Sequence, residues 1–205
     1  MKKLDLTPAA PLGRKLRLHR GNFPMKCLVG FLGLLSLTSC SKSPTTITAN
    51  PNDITLQACF TPGEDCTSLL ADHINAAQKS IEVQAYSFTS YPIAKALVAA
   101  SARGVNVQLI LDKSDFNPQY FSFASYFLKH GLTVYDDSQL NIAHNKVMII
   151  DDNTVETGSF NFTKAAQAHN AENMLIVENA PLAQAYLANW KRRQAQSTLV
   201  PIMKY

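Results

Sequence analysis

His144-Asn145-Lys146-Val147-Met148-Ile149-Ile150-Asp151-Asp152-Asn153-Thr154-Val155-Glu156-Thr157-Gly158-Ser159-Phe160-Asn161 is the stretch on which the reading of this chain turns. Two β-rich runs, Val147–Ile150 and Thr154–Thr157, flank Asp151-Asp152-Asn153, so the segment reads as a hairpin. With a two-residue loop at Asp152-Asn153, Asp151 pairs with Thr154, Lys146 falls opposite Ser159 and His144 opposite Asn161. A four-residue loop keeps that register; a three-residue loop or a bulge breaks it. Side chains alternate along a strand, so His144, Lys146, Ser159 and Asn161 are expected on one face, with Asp151 and Asn145 on the other. Four polar groups then converge where a purely structural hairpin places apolar ones. Gly158 is expected to let a ligand approach the backbone closely.

Outward from the hairpin, helical and strand patterns alternate. Ser80–Phe88 alternates as a strand, Ile93–Ala102 is helix-forming and ends at Gly104, and Val105–Leu111 is a second strand. A helix is expected over Gln119–Lys129, with Phe123 and Phe127 in the core and Gly131 closing it, then a short strand at Leu132–Tyr135. The apolar run Met174–Val177 follows the hairpin as another strand, and Leu182–Arg193 closes the domain as a helix whose Trp190 packs in the core. Thr67–Lys79 reads as an earlier helix capped near Thr67. Helices alternating with strands imply the α/β class, a mixed sheet sandwiched by helices. No internal repeat is visible, so the motif occurs once.

Each residue of the motif suits a phosphodiester. A neutral imidazole is a competent nucleophile near neutral pH and can leave phosphorus again, so a covalent phosphohistidine is chemically reasonable. Lys146 supplies a cation, and Ser159 and Asn161 supply donors, for oxygens whose charge grows in the transition state. Such a site calls for no metal or other cofactor. A nucleophilic imidazole needs a carboxylate or carbonyl on its other nitrogen; Asp151 has the wrong parity, whereas Glu172, opening the Met174 strand, can reach back. A lone His-x-Lys is usually a solvated polar face and a lone Gly-Ser-x-Asn a turn. Joined at this spacing, they argue for a site. His73, His130 and His169 have no metal-ligand spacing and read as surface or helix residues.

The pattern H-x-K-x4-D-x6-G-S-x-N resembles the signature of the phospholipase D superfamily. The stretch Ser159–Ala166 with Glu172-Asn173, together with Ala85–Thr89 and Lys95–Ala100, is similar to the small bacterial Nuc endonucleases, over approximately residues 55–195. The resemblance implies a phospholipase D/nuclease-like fold, His144 as nucleophile, Glu172 as the carboxylate that holds it, and a structural role for Asp151. It further implies a homodimer that shares one active site, and a nucleic acid substrate. The alternatives are a phospholipase acting on lipid headgroups and a noncatalytic DNA-binding or uptake protein on the same fold. Lipid-cleaving members usually carry two motif copies in one long chain, which favours the nuclease.

The chain of 205 residues, 46% hydrophobic, has room for one ordinary domain. Its net charge of +4 is unevenly placed. Residues 1–39 hold seven basic residues against Asp5, a balance of +6, so residues 40–205, with twelve basic and fourteen acidic, carry −2. Nucleic-acid binding would therefore rest on locally placed cations such as Lys146, Lys164 and Arg103. Cys27–Ser39 is a run of thirteen mostly apolar residues, short of the ~20 that span a bilayer and suited to a signal-peptide core. It ends in Leu37-Thr38-Ser39-Cys40, which looks like a bacterial lipobox. The resemblance implies lipidation at Cys40, a membrane anchor, and export to the periplasmic face of a bacterial, outer, membrane. Met25-Lys26 lies directly before that core, so Met25 is a second candidate start beside Met1. The expected organisation is a signal region over 1–39, a Ser/Thr/Pro/Asn-rich tether over 40–54, a catalytic domain over 55–196 and a tail over 197–205. Cys59 and Cys66 remain as a pair for a disulfide in an oxidising compartment.

Overall fold

The computed structural model of the chain describes residues 54–201. The expected signal region, Cys40 and most of the expected tether lie outside the described residues. Eight strands, β1 (Thr55–Thr61), β2 (Ser80–Ala85), β3 (Asn106–Asp112), β4 (Thr133–Asp137), β5 (Lys146–Ile150), β6 (Thr154–Gly158), β7 (Glu172–Glu178) and β8 (Thr198–Leu199), form one sheet. Their spatial order is β1-β7-β6-β5-β2-β3-β4-β8. Neighbours β2, β3 and β4 run parallel, and all other neighbours pair antiparallel. The helices are α1 (Cys66–Ala76), α2 (Tyr91–Ala102), α3 (Ala124–Lys129), α4 (Lys164–Ala168) and α5 (Ala180–Gln194).

Beyond Lys146, β5 is apolar on both faces because helices cover both. Met148 and Ile150 of β5 face a core shared with Leu70 and Ile74 of α1, Ile93 and Leu97 of α2, and Phe127 of α3. Val147 and Ile149, of opposite parity, face Ala183 and Trp190 of α5. Trp190 is buried as expected, and its Nε1–H donates to the Val83 carbonyl at 3.0 Å. This is the mixed α/β sandwich the alternation implies.

Several boundaries differ from the sequence reading, each for a local reason. α1 is capped near Thr67 as expected, by Asp65, whose carboxylate accepts from the Ser68 N–H, and it ends at Ala76, short of Lys79. α3 begins at Ala124 instead of Gln119. Before it, Asn117 takes the N–H groups of Gln119 and Tyr120, on its side-chain and main-chain oxygens respectively, and the Ser122 hydroxyl takes that of Ala124. These local bonds compete with helix, and Pro118 adds to the interruption. β1 is an unexpected strand: its full length pairs with β7, but Leu56 and Phe60 on its outward face are exposed and blur the apolar alternation. A disulfide joins Cys59 of β1 to Cys66 of α1, with the Cα atoms 5.6 Å apart. β8 pairs with β4 and the Val200 N–H donates to Val134, so the fold continues past residue 196 into the segment expected to be a tail.

The hairpin register also needs correction. Ile150 pairs with Thr154 and Val147 with Thr157, so the connection has three residues, Asp151-Asp152-Asn153. Asp151 and Asp152 both take positive φ (54° and 58°), and Asn153 N–H closes the turn on the Ile150 carbonyl at 3.1 Å. Short polar Asp tolerates this left-handed conformation. The turn thus centres on Asp151-Asp152, with Asn153 as the extra residue that slips the pairing by one. The expected opposition of Lys146 to Ser159 and of His144 to Asn161 does not form.

Candidate active site

The corrected register sets Lys146 and Glu172 on the same face of the sheet. β6 pairs with β7 so that Gly158 lies opposite Met174 and Glu156 opposite Ile176, which aligns Glu172 with the Met174 row. β5 carries Lys146 on the row of Met148 and Ile150. Beyond Gly158 the ladder breaks: the N–H groups of Ser159 and Phe160 both donate to the Asn173 carbonyl, at 3.0 and 3.2 Å. This double donation turns the Ser159 hydroxyl onto the Glu172 carboxylate, at 2.6 Å. Ser159 joins the site through that irregularity and not through cross-strand alternation. The group that closes on Gly158 is the chain itself, since a Cβ there would stand 2.3 Å from the Asn173 carbonyl oxygen; a ligand is not what needs the glycine.

His144 precedes β5 and is exposed. Its ring lies 4.5 Å from the ring of Tyr86, tilted by 58°. Lys146 is buried, its ammonium donating to the His144 carbonyl at 2.8 Å and standing 5.1 Å from the centre of the Tyr86 ring. Burial pulls the Lys146 pKa below its usual value, and the Glu172 carboxylate opposes that shift. Glu172 accepts from Ser159 through one oxygen and from the Asn170 side chain, at 2.9 Å, through the other. No hydrogen bond joins Glu172 to His144, so the expected holding contact is not made in the single chain. Asn161 sits between the buried rings of Phe160 and Phe162, and its side-chain oxygen is buried without a partner among the described residues.

Asp151 lies away from this cluster. Its carboxylate accepts the N–H groups of Gln78, Lys79 and Ser80, at 2.7 to 3.2 Å, and thereby ties the hairpin turn to the start of β2. Two residues not singled out in the sequence contribute instead. Tyr86, just past β2, is the surface on which His144 and Lys146 meet. Asp112, at the end of β3 and almost fully buried, accepts from the Ala143 N–H at 2.6 Å and from the Ser114 N–H and hydroxyl at 2.9 and 2.7 Å. It anchors the residue immediately before His144. The parallel strands ending at one edge announce such a position, but only the three-dimensional return of the β4–β5 connection identifies its partner. Among the described residues, Cys59, Glu64 and Cys66 are the group close enough to ligate a metal, and the two sulfurs are bonded to each other instead.

An exposed imidazole beside a buried ammonium and a hydroxyl–carboxylate pair, gathered at one end of a mixed sheet, has the chemistry of a phosphodiesterase. Residues 70–193 match the family model of the PLD-like domain of cardiolipin synthase, and the chain belongs to the phospholipase D superfamily. A phospholipase D of Rickettsia bellii is 45% identical over 142 residues, which is 69% of this chain and 70% of the relative. The crystal structure of Nuc from Salmonella typhimurium, a phospholipase D family member, superposes with a TM-score of 0.68 at 38% identity, covering 72% of this chain and 99% of that one. NucT from Helicobacter pylori gives 0.67 at 25% identity over the same shares. The protein is accordingly a hydrolase of phosphodiesters.

Proposed function

We propose that this phosphodiesterase is a sequence-nonspecific endonuclease acting on DNA, RNA or both, through a covalent phosphohistidine at His144 and without a metal ion. The observation that carries this reading is the pairing of an exposed imidazole with a buried lysine that no carboxylate hydrogen-bonds. The His144 nitrogen lone pair forms a bond to phosphorus as the bond to the leaving oxygen breaks; water then displaces the imidazole and completes hydrolysis. Lys146 is placed to offset charge on the phosphoryl oxygens, and its burial strengthens that interaction. Ser159 and Asn161 supply further donors to those oxygens, the hydroxyl of one and the side-chain N–H of the other.

In-line displacement needs an acid on the side opposite the nucleophile, and one imidazole cannot occupy both places. The chain holds the motif once, so the second His144 comes from a second copy, in a homodimer with one shared site. A phospholipase acting on headgroups is the second reading, favoured by the names of the Rickettsia relatives and by the exposed Leu140 and Ile142 just before His144. Side-by-side assays of the purified protein on DNA, RNA, phosphatidylcholine and bis(p-nitrophenyl) phosphate decide between them. Nucleic acid should be cleaved fastest, with excess EDTA leaving the rate unchanged and rapid denaturation at alkaline pH, where the N–P bond survives, trapping a labelled phosphohistidine. Turnover of phosphatidylcholine alone favours the phospholipase, and turnover of nothing favours a binding protein.

A further inference from the structure

A cavity of about 480 Å³ adjoins the site, walled by Tyr86, Ser87, Ser114, Asp115, Tyr120 and Phe121. Tyr86 is shared: one side belongs to this cavity, and its ring also carries His144 and Lys146. Tyr120 and Phe121 are 64% and 71% exposed, the most solvent-exposed large apolar side chains in the described chain. They sit on the segment where the expected helix fails to form, and they are held there. The Phe121 ring meets the ring of Phe123 edge-on at 5.2 Å, and Phe123 is buried with its N–H donating to the Phe88 carbonyl at 3.1 Å. Two costly exposed aromatics, one of them packed on a buried anchor, beside a reaction centre call for a ligand.

The floor narrows the chemistry of that ligand. Asp115 is buried, its Oδ1 accepts from the Phe88 N–H, and its Oδ2 has no hydrogen-bond partner, although the Ser122 hydroxyl lies near enough to favour the anion. Burial pushes its pKa up to about 6, so the carboxyl is ionised in neutral solution. An anionic floor disfavours a second phosphate or an anionic headgroup. It accepts a flat, uncharged heterocycle, for which the hydroxyls of Ser87 and Ser114 supply polar edges.

We propose that this cavity is a nucleobase subsite: a base flanking the scissile phosphate stacks on Tyr120 and Phe121 while its phosphate lies at His144 and Lys146. The inference rests on the phosphodiesterase reading of His144 and adds a substrate class, single-stranded nucleic acid. Bases in a duplex are already stacked on one another and must be pulled out before they reach the ledge. Base–aromatic stacking is tolerant of sequence, in keeping with a nonspecific enzyme.

The test compares cleavage of a single-stranded oligothymidylate with that of an oligonucleotide of the same length whose central tract is abasic. Wild type should prefer the base-bearing strand by roughly ten-fold or more in kcat/KM. Tyr120→Ala/Phe121→Ala should abolish that preference, mainly through KM, and Tyr120→Phe/Phe121→Trp should restore it. Equal cleavage of both strands by wild type overturns the subsite while leaving the phosphodiesterase reading intact. A preference that survives the double alanine variant shows that the base binds elsewhere and overturns it too. Loss of dimer in sedimentation, or loss of anionic vesicle binding without loss of the preference, reassigns the ledge to a second copy or to a lipid surface. Cleavage of neither strand, nor of bis(p-nitrophenyl) phosphate, by wild type overturns the reading on which the proposal rests.

Discussion

Lys146 is held between two opposed influences, burial that favours its neutral form and Glu172 that favours its charge. That balance makes the pair testable apart from His144, the proposed nucleophile. His144→Ala is expected to leave folding intact, because the ring is exposed, and to lower turnover by roughly three orders of magnitude or more. Glu172→Gln should cost less, since one amide end can still meet Ser159. It also removes the group that raises the Lys146 pKa, so the alkaline limb of the pH–rate profile should move to lower pH; an unmoved limb separates Lys146 from the rate. Elsewhere in the domain, burial pushes Glu82 up to about 7 and Asp115 up to about 6, and leaves Glu156, which has no partner for either oxygen, well above the usual carboxylate range. A raised carboxyl binds its proton more tightly folded than unfolded. The stability it contributes is present in acid and lost as pH rises through its folded pKa. Urea denaturation should therefore show stability falling between about pH 4.5 and pH 7, and Glu82→Gln should flatten the fall. An equally steep decline in that variant assigns the slope to other groups.

The β5–β6 hairpin shows what sequence discloses about an element and what it does not. Its strands, its turn residues and its role as bearer of the motif follow from β propensity around Asp151-Asp152-Asn153. The register does not, because two consecutive aspartates in the left-handed region carry no signature that separates them from a two-residue loop at Asp152-Asn153. A slip of one residue reverses every facing assignment. The site nevertheless assembles, since the ladder breaks at Gly158 and brings Ser159 back to Glu172. Asp112 and Tyr86 were illegible for a related reason: each acts on a residue more than thirty positions away, through tertiary contacts that no local pattern records. Conversely, the α/β alternation was legible because buried central strands and amphipathic helices differ in period. Gly158→Ala tests the break directly. The added Cβ meets a backbone oxygen at 2.3 Å, which the strand can relieve only by shifting. Destabilisation of about 1–3 kcal/mol is expected from such overpacking, with activity falling further than the loss of folded protein explains. A variant of full activity and stability would show that β7 yields without disturbing Ser159.

At the scale of the molecule, one motif and the expected signal region over 1–39 set the remaining expectations. The basic excess lies in residues 1–39 and the rest carries −2, so affinity for a polyanion depends on how cations are gathered at the site. Lipidation at Cys40 is expected to hold the domain on a membrane through the 40–54 tether; palmitate labelling should disappear in Cys40→Ala, and labelling that persists places the anchor elsewhere. The single copy of His144 bears on mechanism more directly. In the isolated chain its ring is exposed and lacks a bond to Glu172, and Asn161 has an unsatisfied buried oxygen. On the proposed homodimer reading, a second copy and substrate would complete the surroundings of His144. Pairing across a twofold axis would bring both imidazoles to one phosphate, one as the proposed nucleophile and one as the acid, with two Lys146 ammonium groups around it. Light scattering on the soluble domain should then give a dimer. Mixing inactive His144→Ala chains with wild type should form heterodimers holding one of the two histidines, so activity should fall faster than the wild-type fraction. A strictly proportional decline, or a monomer with full activity, removes the second imidazole from the reaction and requires another acid within the same chain, for which His169, exposed just past α4, is the candidate to mutate.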